Sequence, residues 1–275
     1  MGPLRSLFLA PLGMFFFVLI WTLLNLVLPQ NIIYLNVFSK ALFVFTFIGL
    51  MSSVEAYYYW GSPVSYLGKS FFMFSLGMLF TFLGQVCYTF AYIEEMSINP
   101  YPNYIELFFL LALTCYLFGA YFLGTSTEYY FPKQKVSMVY LVVLSICLTS
   151  ACLLLLATLV SRVMPLELLL LLELLYPLGQ IVVICVIVCF AFFSKSLLSK
   201  EMLPGMLLLI VAFIVNYSAD LFFSFLSYSN LWRPGDLSDL LYGLSYMLIG
   251  YSMAVLSRTY YRSHKFNLLI VEKPE

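Results

Sequence analysis

Charged and amide side chains are rare in this chain, so each one limits the chemistry that the protein can perform. Only 9% of the 275 residues are Asp, Glu, Lys or Arg, whereas 63% are hydrophobic. The six cysteines lie inside apolar runs without the spacing of a metal site, and His264 is the only histidine. No nucleophile–base set, phosphate-binding loop or cofactor motif accompanies them. The sequence therefore predicts a protein that is not an enzyme, without catalytic residues, metal or cofactor.

The chemistry that remains is that of polar groups in apolar surroundings, contributed by Lys40, Gln85, Glu173, Asn216 and Asp220. Ionisable residues inside a membrane usually face a protein interior or a water-filled cavity. Counted from the ends of the predicted spans, all but Asn216 lie ~10–12 Å below the outer boundary, and Asn216 lies one turn deeper on the face of Asp220. This layer is either a ligand-binding pocket open to the outside or a structural ion pair of Lys40 with Glu173 or Asp220. The ion pair is the simpler interpretation because it needs no ligand.

The elements that would position these residues are membrane-spanning helices. A helix needs about 20 apolar residues to cross the hydrocarbon core. Eight segments qualify: Leu7–Leu28, Ile32–Val54, Ser70–Ile93, Ile105–Gly124, Met138–Val160, Leu166–Phe193, Met206–Tyr228 and Leu237–Leu256. The sequence thus predicts an all-α polytopic membrane protein, with one transmembrane domain over 1–256 and a cytoplasmic tail over 257–275.

The basic residues predict the orientation of these spans, because Lys and Arg near span ends are held on the cytoplasmic side. With eight spans, one face receives ten of the thirteen basic residues: Arg5, Lys69, Lys133, Lys135, Lys195, Lys200, Arg258, Arg262, Lys265 and Lys273. The other three, Arg162, Arg233 and Lys40, fall on the opposite face or inside a span. The chain is therefore expected in the cell membrane, with both termini in the cytoplasm. The net charge of zero gives no reason to expect nucleic acid as a partner.

Two predicted spans begin with the same helix-start pattern. Asn103 with Glu106, and Asp236 with Asp239, have the spacing of an N-cap residue and the third residue of a helix. The separation between the two pairs along the chain is identical for both of their members, from 103 to 236 and from 106 to 239. Acidic groups in a first turn also suit the helix dipole. These four residues are expected to cap helices at the outer loops.

The repeated helix start predicts an internal duplication. Spans one to four would match spans five to eight, as repeats over 1–124 and 138–256. Lys40 and Glu173 have the same separation along the chain as the two caps, which would make them equivalent positions of opposite charge. Because each repeat has an even number of spans, the two repeats would be parallel and related by an axis along the membrane normal.

The helix starts also resemble a known class of membrane segment. The residues that carry the resemblance are Tyr101, Pro102, Glu106, Pro234, Asp236 and Asp239. They are similar to the short sequence motif that follows each outer loop in the multi-span membrane input regions of prokaryotic diguanylate cyclases and histidine kinases. The resemblance implies a sensor in signal transduction, but no output module follows in this sequence.

Three functions remain open. The first is a sensor or scaffold that couples to a separate membrane or cytoplasmic protein, as the compact body and basic tail favour. The second is an accessory subunit of a larger membrane complex, for example one that transfers electrons. The third is a small transporter, which parallel repeats and a shared polar layer would fit, although transporter sites usually lie nearer the bilayer midplane.

Overall fold

The computed structural model describes residues 4–27, 37–60, 65–93, 105–130, 168–193, 202–228 and 231–271. Within these ranges the chain is helical apart from short turns, and no strand occurs. The helices are α1 (Leu4–Val27), α2 (Leu42–Trp60), α3 (Tyr66–Ile93), α4 (Glu106–Tyr130), α5 (Leu168–Phe193), α6 (Met202–Tyr228) and α7 (Leu237–Val271). The prediction of an all-α protein is confirmed for the described part of the chain.

Five of the described helices are long and apolar enough to cross a membrane. These spans are Val37–Trp60, Tyr66–Phe90, Glu106–Thr125, Leu203–Leu226 and Leu237–Leu256. Shorter apolar stretches occupy Leu12–Leu26 in α1 and Leu175–Ala191 in α5. The predicted fifth span, Met138–Val160, lies outside the described residues, so the count of eight stays a prediction. Helices of this length and composition indicate a protein embedded in a membrane.

Six of the helices form a closed ring. Each of α2 to α6 packs against the next helix along the chain, and α7 packs against both α6 and α2. Helix α1 packs against α7. Large buried side chains fill the interior of the ring, among them Phe74 of α3, Tyr116 of α4, Phe213 of α6 and Tyr246 of α7. Helix α7 is therefore the element that joins the ring to α1.

The ring closes through a very close approach of α2 and α7. A Cβ atom placed on Gly250 would lie 2.7 Å from the Cα atom of Gly49, and one placed on Gly49 would lie 2.7 Å from the backbone oxygen of Tyr246. Any larger side chain at either position would push the two backbones apart. Small residues permit this kind of contact between membrane helices, where lipid supplies little hydrophobic drive for association.

A turn at Ala41 and a later end distinguish the described part of this helix from the predicted second span, Ile32–Val54. The segment from Val37 to Lys40 is helical, but a turn at Ala41 separates it from α2, which runs to Trp60. The amide of Ala41 donates to both Val37 and Phe38, and the oxygen of Ala41 accepts from Val44, as in a tightened turn. The predicted span ended six residues earlier, at Val54. Residues 32–36 lie outside the described residues, so the depth predicted for Lys40 stays a prediction.

Helix α7 extends beyond its apolar part. It has 35 residues, from Leu237 to Val271, so its length is ~52 Å. The apolar span ends at Leu256. Residues 257–271, predicted as a tail, continue the same helix.

Candidate functional site

The N-terminus of α7 is capped by the residues of the Arg-Pro-Gly-Asp segment. Asp236 Oδ1 accepts hydrogen bonds from the Ser238 amide at 2.8 Å, the Ser238 hydroxyl at 2.6 Å and the Asp239 amide at 3.4 Å. Asp239 Oδ2 accepts from the Gly235 amide at 2.7 Å. Gly235 has a φ of 77°, a left-handed conformation that favours glycine. This turn fixes where α7 begins.

Helix α1 holds the same turn from outside the ring. Trp21 Nε1 donates to the backbone oxygens of Gly235 and Asp236, at 3.0 and 3.2 Å. Asn25 Nδ2 also donates to the Gly235 oxygen, at 3.3 Å. The first turn of α7 is therefore positioned by its own acidic residues and by α1.

The ring interior contains a buried carboxylate, which contacts α7 six residues after the Asp236 cap. Asp220 of α6 is only 9% exposed. Its Oδ2 accepts from Gln180 Nε2 of α5 at 2.6 Å, and its Oδ1 accepts from the Tyr242 hydroxyl of α7 at 2.7 Å. Both donors are neutral, and no basic side chain in the described part of the chain pairs with Asp220. Three helices thus meet at one acidic side chain.

Further polar contacts surround Asp220 and join α6 and α3 to α7. Asn216, one turn along α6, accepts from the Ser245 hydroxyl at 2.9 Å. Gln85 of α3 donates to the Tyr246 hydroxyl at 3.5 Å. The rings of Tyr242 and Tyr246 stack with centroids 6.2 Å apart and an angle of 19°. We call the residues Gln85, Gln180, Asn216, Asp220, Tyr242, Ser245 and Tyr246 the polar cluster.

A second acidic side chain lies beside the polar cluster, between α4 and α5. The Tyr176 hydroxyl of α5 donates to Glu106 Oε2 at 2.8 Å and to the Glu106 backbone oxygen at 3.1 Å. Tyr176 lies one turn before Gln180, so Glu106 and Asp220 are bound by neighbouring turns of α5. Pro177 follows Tyr176 inside α5. Helix α5 is thus tied to an acidic residue on each side of its proline, through Tyr176 and through Gln180.

The predicted polar layer is partly brought together. Gln85, Asn216 and Asp220 belong to the polar cluster. The backbone of Lys40 lies beside Thr89, one turn along α3 from Gln85: the Thr89 hydroxyl donates to the backbone oxygens of Lys40 and Gln85, at 3.0 and 2.8 Å. Neither hydrogen bond to Asp220 comes from Lys40. Helix α5 contains Glu173, but the Glu173 side chain lies outside the described part of the chain.

The two predicted caps also differ. The Asp236 and Asp239 bonds given above have the geometry of a cap. Helix α4 is described from Glu106, after a turn at Ile105, and residues 101–104 lie outside the described residues, so the cap predicted at Asn103 and Glu106 stays a prediction.

Sequence reasoning did not single out Tyr176, Tyr242, Ser245 or Tyr246. Tyrosines are common at the ends of membrane helices, where anchoring explains them. The signal that could have identified three of them is spacing: Tyr242, Ser245 and Tyr246 recur at intervals of three and four, which puts them on one face of α7. On that face Ser245 and Tyr246 are buried and Tyr242 is partly buried.

Comparison of the chain with protein-family models, with curated proteins and with solved structures finds no match.

Proposed function

We propose that this protein is a membrane sensor with eight spans, built from two parallel repeats, which couples to a separate partner protein. The observation that carries the proposal is the polar cluster: Asp220 is buried inside a closed ring and bound by side chains from two other helices. An interior carboxylate is costly, and such residues typically mark ligand or ion sites. The position of the cluster near the capped end of α7 fits detection on the outer side.

The order of helices in the ring supports the repeat. If α2 corresponds to α5, α3 to α6 and α4 to α7, each pair of neighbouring helices in the ring corresponds to another pair that are also neighbours. A duplicated chain related by an axis along the membrane normal requires this order.

Two hydrogen bonds lie at corresponding places in the proposed repeats. The Ser70 hydroxyl of α3 donates to the Gly119 oxygen of α4 at 2.7 Å. The Ser252 hydroxyl of α7 donates to the Gly205 oxygen of α6 at 2.9 Å. Gly119 and Ser252 have the same separation along the chain as the two caps, and Ser70 and Gly205 have the same separation as Gln85 and Asp220. Each bond joins a serine and a glycine, with the two residue types exchanged between repeats.

The contacts of α2 and α5 give a different correspondence from the one predicted. Gly49 of α2 packs against Tyr246, and Gly179 of α5 packs against Leu113. Leu113 and Tyr246 have the same separation as the two caps, but Gly49 and Gly179 lie slightly closer together along the chain. If the separation between Gly49 and Gly179 holds along α2 and α5, the equivalent of Lys40 in the second repeat is Leu170 rather than Glu173.

Pro177 offers a route from the polar cluster to the rest of the molecule. A proline inside a helix removes a backbone hydrogen bond and lets the helix bend. A ligand that changed the bond between Gln180 and Asp220 would alter the angle of α5 at Pro177. It would also shift Tyr242, and with it α7, which continues past the membrane span on the side where a cytoplasmic partner would bind.

Purification from native membranes tests the coupling. We expect a C-terminally tagged chain, extracted in mild detergent after brief cross-linking, to bring down one partner in constant ratio. An N-terminally tagged copy ending at Ser257 serves as the matched control, because it keeps the apolar spans and lacks the extension of α7. Recovery of the full chain alone, as a monomer both with and without cross-linking, would overturn the proposal.

Cysteine labelling tests the orientation. In a chain whose six cysteines are replaced by alanine, a single cysteine at Asn230 should react with an impermeant maleimide in intact cells. A single cysteine at Ser263 should react only after the membrane is opened. Labelling of both sites in intact cells would contradict eight spans with cytoplasmic termini.

A further inference from the structure

The polar cluster contains an acceptor that its described neighbours leave without a donor. Gln180 is 5% exposed, and its side-chain oxygen Oε1 is buried and accepts no hydrogen bond from the described residues. The amide nitrogen of the same side chain donates to Asp220. The free acceptor therefore lies on the same amide group that binds the carboxylate.

The charge of the cluster points in the same direction. A buried carboxylate is stable when it is paired with a positive group or fully hydrogen-bonded. Asp220 has two neutral donors, and Glu106, which binds the preceding turn of α5 through Tyr176, is an acid and brings no positive charge. A positively charged group with N–H donors would satisfy both Asp220 and Gln180 Oε1.

We propose that the polar cluster binds a small organic amine in its protonated form, with its N–H groups directed to Asp220 and to Gln180 Oε1. The Tyr242 ring, whose hydroxyl binds Asp220, stacks on the Tyr246 ring, so aromatic groups of the kind that attract ammonium lie beside the carboxylate. A hard metal ion fits less well. Ca²⁺ and Mg²⁺ require six or so oxygen ligands, and the described residues contain no group of three or more His, Cys, Asp or Glu that could hold a metal.

This amine would be what the proposed sensor detects, so the inference rests on that function, but its test does not need the partner. The purified full chain in nanodiscs of phosphatidylcholine is titrated with methylammonium chloride, tetramethylammonium chloride or sodium chloride at equal ionic strength. The melting temperature is followed by tryptophan fluorescence. We expect a saturable rise with methylammonium alone, because tetramethylammonium has no N–H group to donate to Gln180 and sodium has none either.

Two variants and a matched control locate the effect. Asp220→Asn preserves the shape of the side chain and should weaken methylammonium binding at least about tenfold, which is ~1.4 kcal/mol. Gln180→Met keeps Asp220 and should reduce the preference for methylammonium over tetramethylammonium without abolishing it, because the N–H groups can still bind Asp220. Glu55→Gln, an acid-to-amide change on α2 outside the cluster, should leave the rise unchanged.

An equal response to all three salts, no response, or a full methylammonium response in Asp220→Asn would overturn the inference. None of these outcomes would affect the recovery of a partner from native membranes, so failure of the amine site and failure of the proposed coupling can be told apart. Partner recovery without amine binding would leave the polar cluster as a structural joint between helices.

Discussion

Replacement of Gly250 by alanine should open the ring at the contact between α2 and α7. The new Cβ atom would lie 2.7 Å from the Cα atom of Gly49, which belongs to a helix backbone and cannot rotate away. Carbon atoms pack at ~3.5–4.0 Å, so the two helices must separate by roughly 1 Å. A gap of that size forfeits a quarter to a half of each contact along the interface. We expect a loss of about 1–3 kcal/mol in the free energy of unfolding, the usual range for overpacking.

The assay is reversible unfolding in mixed micelles by SDS titration, followed by tryptophan fluorescence. Gly13→Ala is the matched control, because its Cβ would have only the sulfur of Met247 nearby, at 3.8 Å, an ordinary contact. That variant should be neutral, or slightly more stable because alanine favours helix more than glycine does. If Gly250→Ala unfolds at the same SDS fraction as the wild type, the close contact of α2 and α7 is wrong.

Three further predictions concern the cap of α7, the two serine–glycine hydrogen bonds and the contact of α1 with the α7 turn; the SDS titration measures the first two. Asp236→Ala should cost ~0.5–2 kcal/mol, because the first amides of α7 lose their acceptor, whereas Asp236→Asn should retain most of the stability; equal losses in both would argue against capping. Ser70→Ala and Ser252→Ala should each lower the free energy of unfolding by about 0.6 kcal/mol, the average for hydrogen bonds between membrane helices. A much larger loss in one variant than in the other would weaken the case for equivalent repeats. Trp21→Phe should speed hydrogen exchange of the backbone amides from 235 to 240, because α1 then holds the turn through Asn25 alone; unchanged exchange would mean that Trp21 does not position the turn.

The sequence predicted the helices well where hydropathy and capping act together. The apolar span of α7 runs from Leu237 to Leu256, as predicted, because Pro234, Gly235 and Asp236 fix its start chemically. The turn at Ala41 was not predicted, because apolar residues continue on both sides of it and hydropathy does not register a turn between apolar residues.

The contacts of Asp220 could not be read from the sequence. Its partners are 40 residues away at Gln180 and 22 residues away at Tyr242, on two different helices. Their meeting depends on how each helix is rotated about its own axis. The apolar segments are so uniformly hydrophobic that no amphipathic face reveals this rotation. Charge alone predicted Lys40 as the partner of Asp220, whereas in the structure the neutral side chains of Gln180 and Tyr242 donate to it.

Asp239 and Asp220 are both buried acids of this bundle, but their surroundings make them respond differently to motion. Asp239 lies in the first turn of α7, where free backbone amides are available, and it binds the amide of Gly235 four residues away. Its stabilisation survives as long as that turn stays folded. Asp220 lies in the middle of α6, where the amides are already used within the helix, so only side chains of other helices can bind it. Any rotation or tilt of α5 or α7 relative to α6 therefore changes how well the Asp220 carboxylate is satisfied. Conversely, any group that binds Asp220 changes which arrangement of the three helices is most stable, which is the property that a sensor site requires.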